Sequence, residues 1–370
     1  MKKYSVIGLM SGTSLDGLDM IHCDFLLDEE NNHWLFEIHQ SMCIPFTEEW
    51  QHKLKTEVFN SPYDLCRIDA EFGEYMAEKV NQFIEEFNIE ADFIASHGYT
   101  VYHEPKKKFT TQIGNGATMS SLTALPVICD FRTCDVALNG LGAPIVPFGD
   151  VHLFEDYSFC INIGGIANIS CRLPDESVVG SDICPANLLL NEQAQLLGKD
   201  YDENGDLGRQ GNVNNSLLDD LNKIDYFKKP FPKTLEALWV EEVYGDILHK
   251  HDLTVKDKLR TLYEHIGKQI GNTINELNVQ GISNSGNNKV LISGGGAYNK
   301  FLIECIDKYS PIQLEIPRDE IIEFKEALII GFLGVLRARN TQNCLSTVTG
   351  ADVNSIGGAV YRGTSTFFLK

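Results

Sequence analysis

Several groups of residues in this chain have types and spacing suited to chemistry. The run Gly8 to Asp19 (GLMSGTSLDGLD) packs hydroxyls and backbone N–H groups into one tight turn. Glycine lets a backbone approach an anion, and Ser and Thr hydroxyls add donors around phosphate oxygens. Asp16 and Asp19 in the same run are placed to hold Mg²⁺ directly or through water. It is not a Walker A loop, because no Gly-Lys-Ser/Thr follows at the required spacing. An ordinary hairpin rich in turn formers has the same composition. Gly164-Gly165 between two apolar runs, and Gly294 to Gly296 after a third, repeat the pattern. Three backbone-exposing turns in three strand contexts point to a nucleotide.

Asp182 follows the strand-like run Ser177 to Gly180 and precedes Pro185, a favoured first helical residue. A carboxylate there faces a helix N-terminus, which keeps it ionised and aims it beyond the strand ends. That suits a general base at pH 7; a plain helix cap is the structural alternative. Glu326 follows Phe324-Lys325 and opens an otherwise apolar helix, as a ligand contact or a solvated first-turn acid. His97, in Ser96-His97-Gly98, ends a strand and serves equally as a ligand contact or a polar core residue. Asp130 and Arg132 flank Phe131 at alternate positions, so both point to one face, toward a ligand or toward each other. No Gly-x-Ser-x-Gly elbow or His-Glu-x-x-His pattern is present.

The elements that must hold these residues alternate between strands and helices. Residues 4–10 and 18–26 read as two strands joined by the glycine-bearing turn. Pro62 to Phe87 carries Leu65, Ile68, Phe72, Met76, Val80 and Phe83 at helical spacing, a core-facing stripe. Ala91 to Ser96 and Val127 to Arg132 read as short strands, with Gly140, Gly142, Pro144 and Pro147 punctuating the chain beyond. The second half repeats this grammar: strands at 158–163, 166–171 and 289–293, a helix from Tyr298 with Phe301, Leu302, Cys305 and Ile306 on one face, a buried helix from Glu326 to Arg339, and a mixed helix and apolar tail from Ser355 to Phe368. Ser283 to Asn288 reads as a surface loop. Two strand–glycine turn–strand hairpins, each opening one half, suggest a duplicated α/β architecture.

Composition sets the outer limits. With 370 residues the chain is long enough for about two domains, and 43% apolar residues exclude wholesale disorder. The 52 acidic residues outnumber 31 Lys and Arg, giving a net charge of −21. Nucleic acid and polybasic membrane attachment both need a cationic footprint, so neither is expected as a partner. No run approaches a membrane span, and the short N-terminal apolar run lacks a small-residue cleavage site. Ten cysteines show no CxxC spacing and no metal-site pattern, so a reduced, cytoplasmic protein is expected.

At these residues the chain resembles the anhydro-N-acetylmuramic acid kinase family. The resemblance runs in order through Gly8 to Asp19, Ser96 to Gly98, Thr111 to Gly114, Asp130 to Arg132, Gly142 to Pro147, Asn162 to Asn168, Ser293 to Gly296, Glu326-Ala327 and Val348 to Ala351. It implies a two-domain actin-like/sugar kinase (ribonuclease H-like) α/β fold with ATP and the sugar in an interdomain cleft. It also implies Mg²⁺ as a cofactor and a homodimer. The division expected is residues 1–130 plus about 350–370 for one domain and 131–349 for the other. By resemblance, Asp182 is the general base, and Gly12, Thr13, Ser14, Leu15, Asp16, Gly17, Leu18 and Asp19 form the phosphate loop. Gly164, Gly165, Gly294 and Gly295 are the other nucleotide-side turns. Glu326 is the sugar-contacting acid, with His97, Gly98, Asp130 and Arg132 expected beside it. The implied reaction opens 1,6-anhydro-N-acetylmuramic acid with water and phosphorylates O6, giving N-acetylmuramic acid 6-phosphate and ADP.

The chain departs from the family pattern around the base. Where the family commonly has Phe-Asp-Thr-Gly-Pro-Gly-Asn, it has Ser181-Asp182-Ile183-Cys184-Pro185-Ala186-Asn187. Added Cβ atoms at Cys184 and Ala186 are expected to hinder close backbone approach, and Ile183 removes a hydroxyl donor. Asn191 stands where the family usually has Asp. Pro232 to Leu238 (PKTLEAL) keeps only the start of the family's Pro-Lys-Ser-x-Gly-(Arg/Lys)-Glu, and Tyr99 replaces the Gln usual after Ser-His-Gly. The same fold without catalysis, or with a different sugar, is the rival expectation.

Overall fold

The computed structural model describes residues 1–12, 15–279, 281 and 288–364. Thr13 and Ser14 of the phosphate-loop reading, residues 283–287 of the expected surface loop and the end of the apolar tail lie outside the described residues. The chain divides into two compact units, Met1–Leu153 with Phe324–Lys370, and Phe154–Glu323. These divisions differ from the expected 130/131 and 349/350. The helix Val146–Leu153 belongs to the first unit, where a Cβ on Gly149 would meet Ile329 side-chain atoms at 2.5 Å. The helix Asp319–Ala338 crosses the second boundary and belongs to the first unit from Phe324 onward.

In the N-terminal unit, β1 (Lys2–Ser11), β2 (Gly17–Asp28) and β3 (His33–Pro45) form an antiparallel meander. On the other side of β1, β4 (Phe93–Ser96) runs parallel to it. After β4 the chain makes a separate hairpin of β5 (Tyr99–Glu104) and β6 (Phe109–Ile113), then adds β7 (Val127–Cys129) parallel to β4. The strand Ala359–Tyr361 closes the edge beside β7, giving the order β3-β2-β1-β4-β7 and then this last strand. Val6, Ile7 and Leu9 of β1 are fully buried, as a central strand covered on both faces requires.

The helix Pro62–Phe87 covers one face and buries the stripe Ile68, Phe72, Met76, Val80 and Phe83. Its start is fixed by Pro62 and the Ser61 side chain accepting from Asp64 N–H, and its end by Asn88 in the left-handed region. The helix Asp319–Ala338 packs against β1 so tightly that a Cβ on Gly8 would lie 2.3 Å from the Ala327 carbonyl oxygen. Only glycine fits there, and that approach fixes the height of Glu326 over the sheet.

The C-terminal unit repeats the arrangement. β8 (Phe159–Ile163), β9 (Ile166–Arg172) and β10 (Val178–Pro185) form the antiparallel meander. β11 (Lys289–Ser293) and β12 (Gln313–Glu315) follow in parallel, in the order β10-β9-β8-β11-β12. Its core joins Phe159, Ile161 and Ile163 to Leu259, Leu262, Ile266 and Ile270 of the long helix Val255–Val279. Each sheet thus places its third, second, first, fourth and fifth strands side by side, with the same pattern of directions. That shared order makes both units members of the actin-like/sugar kinase (ribonuclease H-like) architecture and bears out the duplicated α/β reading.

Candidate active site

In the C-terminal unit, β10 runs through Asp182 to Pro185 instead of stopping near Gly180, and the next helix starts at Asn187. Pro185 therefore ends a strand and opens no helix. The first N–H groups of that helix region are already used: Ala186 and Leu188 donate to the Gly165 carbonyl at 2.8 and 3.1 Å, and Asn187 to that of Gly164 at 3.1 Å. The expectation that a helix N-terminus holds Asp182 ionised is corrected. Its Oδ2 instead accepts from the Leu235 N–H at 2.8 Å, and burial pushes the carboxyl above the usual carboxylate range. One backbone donor opposes the desolvation without cancelling it.

A clamp absent from the sequence reading holds this carboxylate. The Lys233 carbonyl accepts from Asp182 N–H at 2.9 Å, Lys233 N–H donates to Ser181 Oγ at 3.0 Å, and Tyr226 Oη donates to the Asp182 carbonyl at 2.9 Å. The Lys233 ammonium lies over the rings of Tyr226 at 4.7 Å and Phe231 at 4.8 Å, and the residue is 9% exposed. Desolvation draws its pKa down, while the ring faces favour the cation. The Pro232-Lys233 remnant of the family motif is thus packed against the base. Its place in the sequence was legible, but a partner half a hundred residues away was not.

The departures beside Asp182 have a packing explanation. A bulge between Asp182 and Cys184 shifts the register, and Ile183, Cys184 and Ala186 all lie in the unit's hydrophobic core. Their side chains are no more than 1% exposed. The expected obstruction by the Cys184 and Ala186 Cβ atoms is corrected accordingly: both are taken into the core.

Glu326, Arg132 and His97 come together in the N-terminal unit. Glu326 lies inside the helix Asp319–Ala338, well past its start, so the solvated first-turn reading is corrected. Burial raises its pKa, opposed by Lys325 and Arg132 and assisted by Asp150. Lys325 and Asp150, each 3% exposed, pair at 3.0 Å. Arg132 donates from Nε to His97 Nε2 at 2.9 Å and from Nη1 to the Gly142 carbonyl at 2.6 Å. Because the guanidinium only donates, His97 Nε2 must accept, leaving its proton on Nδ1, 2.9 Å from the Gly98 carbonyl oxygen. Burial, followed by the Arg132 charge, pushes His97 down to about 3. The ring is neutral at pH 7 and orients the arginine.

Asp130 takes no part in that network. β7 stops at Cys129, Asp130 adopts φ 60°, and its Oδ1 accepts from Thr133 N–H at 3.1 Å. The one-face reading of Asp130 and Arg132 assumed a continuing strand and is corrected by this turn. Gly98, at φ 71°, has the Ile113 carbonyl where a Cβ would sit, so it answers to backbone fit.

The turns differ in what demands their glycines. A Cβ on Gly294, at φ 78°, would strike Asn162 Oδ1 at 2.6 Å, whereas Gly165 meets nothing closer than 3.9 Å and Gly295 nothing within 4 Å. Gly164 has similar room, at 3.7 Å. In the first hairpin Leu15 and Leu18 belong to the hydrophobic core, and a Gly17 Cβ would meet the Ile44 carbonyl at 2.5 Å. Leu15 N–H closes the turn onto the Gly12 carbonyl at 3.2 Å. Asp16 is exposed, and Asp19 is half-buried in β2 opposite Met10. Among the described residues no three His, Cys, Asp or Glu side chains gather as a metal group. Such a set fits Mg²⁺ that arrives with phosphate oxygens as its main ligands.

Paired units of this order, each presenting glycine turns at the ends of its strands, are the architecture shared by actin-like and sugar-kinase proteins. The chain belongs to the anhydro-N-acetylmuramic acid kinase family, whose sequence profile matches residues 4–363. The anhydro-N-acetylmuramic acid kinase of Haemophilus influenzae is 31% identical, covering 98% of each chain. That of a Sulfurovum species is 34% identical over 98% of this chain and all of its own. Among solved structures, the activator of 2-hydroxyisocaproyl-CoA dehydratase from Clostridium difficile aligns over 91% of this chain and 96% of its own, with 13% identity and a TM-score of 0.45. No described helix is long and apolar enough to cross a membrane.

Proposed function

We propose that this kinase uses ATP to open 1,6-anhydro-N-acetylmuramic acid hydrolytically and to phosphorylate O6, releasing N-acetylmuramic acid 6-phosphate and ADP. The observation that carries the reading is Asp182: a half-buried carboxylate at the β10 bulge, fixed by the Leu235 N–H and by the Lys233 clamp, with its pKa raised by burial. A base needs a pKa near the working pH, and a carboxyl gets there by desolvation. In the reaction Asp182 takes a proton from water, the water oxygen bonds to the anomeric carbon, and the bridge C–O6 bond breaks. O6 then takes the γ-phosphoryl group as ADP leaves. Balance requires no general acid, because the departing oxygen is capped by phosphorus, and Asp182 returns its proton to solvent.

In this reading Glu326 and Arg132 hold the sugar, with His97 fixing the arginine by its neutral tautomer. Gly164, Gly165 and Gly295 leave room for phosphate oxygens to approach backbone N–H groups. Gly12 to Asp19 supply the first hairpin's donors, and Asp16 and Asp19 would hold Mg²⁺. When bound, Mg²⁺ neutralises the phosphate charge that the backbone donors alone leave standing. A cytoplasmic location and a homodimer are part of the same proposal, carried over from the family.

The test is ADP release measured with the anhydro sugar, with N-acetylmuramic acid and with N-acetylglucosamine. Release with the anhydro sugar alone is expected. Release only with a non-anhydro sugar marks an ordinary sugar kinase, and release with none marks a binding protein on the same fold; either result overturns the proposal.

A further inference from the structure

Asp135 is 1% exposed and has no part in the chemistry proposed above. It lies three residues after Arg132, in the short helix Thr133–Ala137 of the N-terminal unit. Both of its carboxylate oxygens are engaged. Oδ1 accepts from Thr349 Oγ1 at 2.7 Å and from Cys344 Sγ at 3.1 Å, and Oδ2 accepts from the Gly142 N–H at 2.7 Å. A carboxylate this deeply buried is costly, and these three donors are what offsets the cost.

The same bonds fix the loop that follows the helix. Successive N–H groups of Gly140, Leu141 and Gly142 donate to the Asp135 carbonyl at 2.9 Å, to the Thr349 carbonyl at 2.8 Å and to Asp135 Oδ2. A Cβ on Gly140 would lie 2.1 Å from Oδ2, so the loop closes on the carboxylate with no space for another side chain. Gly142, at φ 64°, then turns its carbonyl to Arg132 Nη1. With Nε bonded to His97, the guanidinium is held at two corners, which sets its plane. Among the described residues no hydrogen bond uses Nη2, which keeps two donors for an oxygen of the ligand.

We infer that Asp135 is a positioning residue: by clamping Gly142 it aims the Arg132 guanidinium, and so sets the affinity for the sugar without touching it. The inference rests on the proposed reading of Arg132 as a sugar contact. An unrestrained arginine samples many rotamers, and a guanidinium aimed beforehand loses less entropy when the ligand arrives.

The experiment combines steady-state kinetics with NMR of the full chain carrying isotope-labelled arginine. Asp135→Ala is expected to raise KM for the anhydro sugar about tenfold, the worth of one hydrogen bond to a charged group, with kcat and KM for ATP nearly unchanged. Added to Arg132→Ala it should cost nothing further, since both act through one guanidinium. Asp135→Asn keeps an oxygen for the Gly142 N–H and an amide that donates to Thr349 Oγ1, so it should recover most of the affinity. In the spectra the Arg132 Nε proton should exchange slowly in the unmodified protein and faster in Asp135→Ala. If that variant fails to fold, Gly140→Ala, whose Cβ displaces Oδ2, takes its place. An unchanged sugar KM, a loss that adds fully to that of Arg132→Ala, or an Arg132 Nε proton that exchanges freely in the unmodified protein overturns the inference. An unmodified protein without turnover on the anhydro sugar overturns the function proposed above, and the exchange rates then decide the placement of Arg132 by themselves.

Discussion

Around Glu326 the N-terminal unit buries charge in company, whereas around Asp182 the C-terminal unit sets a half-buried carboxylate in an apolar setting. Around one helix the first unit sets Glu326 and Asp150 against Lys325 and Arg132, so each acid has a cation acting on it. In the second unit Asp182 sits between a hydrophobic core and the aromatic cage of Lys233, and its carboxylate is answered by one backbone N–H. Both acids have raised pKa values, but the opposing forces differ: cations for Glu326, a peptide dipole for Asp182. In the proposed function these two acids take different roles, Glu326 as a sugar contact and Asp182 as the base. A shared strand order therefore does not dictate shared chemistry.

Removing the Asp182 carboxylate gives the largest effect. Asp182→Asn keeps shape and loses basicity, and ADP release with the anhydro sugar is expected to fall by about 10²–10⁴-fold while ATP still binds. Near-normal turnover would sink the base assignment. With Asp182 intact, the acid limb of the rate profile is expected above the ordinary aspartate value of about 4, with activity rising as pH rises through it.

Breaking the company of charges tests the other unit. Lys325→Met leaves Asp150 buried without its cation, and denaturant titration is expected to show a loss of about 3–5 kcal/mol. Replacing both partners with apolar residues of like volume should restore most of it. If the single and double variants are equally unstable, packing rather than charge holds this pair.

Lys233→Met keeps the stem and removes the cation from its aromatic cage. A stability loss of about 2 kcal/mol is expected. Because the Lys233 backbone positions Asp182, kcat should drop while KM for ATP holds, and Lys233→Arg should recover part of it. Equal changes in kcat and KM would reduce the clamp to a folding element.

The smallest effect concerns His97. Its folded pKa, near 3, lies below the unfolded value of about 6.5, so the unfolded chain binds more protons between those limits. Stability is therefore present above pH 6.5 and drains as pH falls toward 3. His97→Gln keeps an acceptor for Arg132 without that titration, and its stability measured against pH should decline less steeply over the same window.

Much of this was legible along the chain. The apolar run of β1 and the 3.6-residue stripe of Pro62–Phe87 are local signals, and both elements formed where periodicity put them. Asp182 was misplaced at a strand end because Pro185 looks like the first residue of a helix, whereas β10 continues through a bulge to Pro185. Glu326 was misplaced within its helix because Asp319 and Glu320, which begin it, look like loop residues until the apolar run follows. Arg132 and Asp130 parted because β7 stops at Cys129, a decision made by pairing with β4 and Ala359–Tyr361 and invisible in the residues themselves.

The sequence by itself determined the alternation of elements, the glycine turns and the residue types able to do chemistry, because those are short-range properties of backbone and pattern. The tertiary structure alone decided which charges are neutralised. The Lys233 clamp on Asp182, the Lys325–Asp150 pair and the bond from Arg132 to His97 all join residues from separate elements. Burial and proximity set the pKa values of Asp182, Glu326 and His97, and neither is a property of a residue until the chain has closed around it.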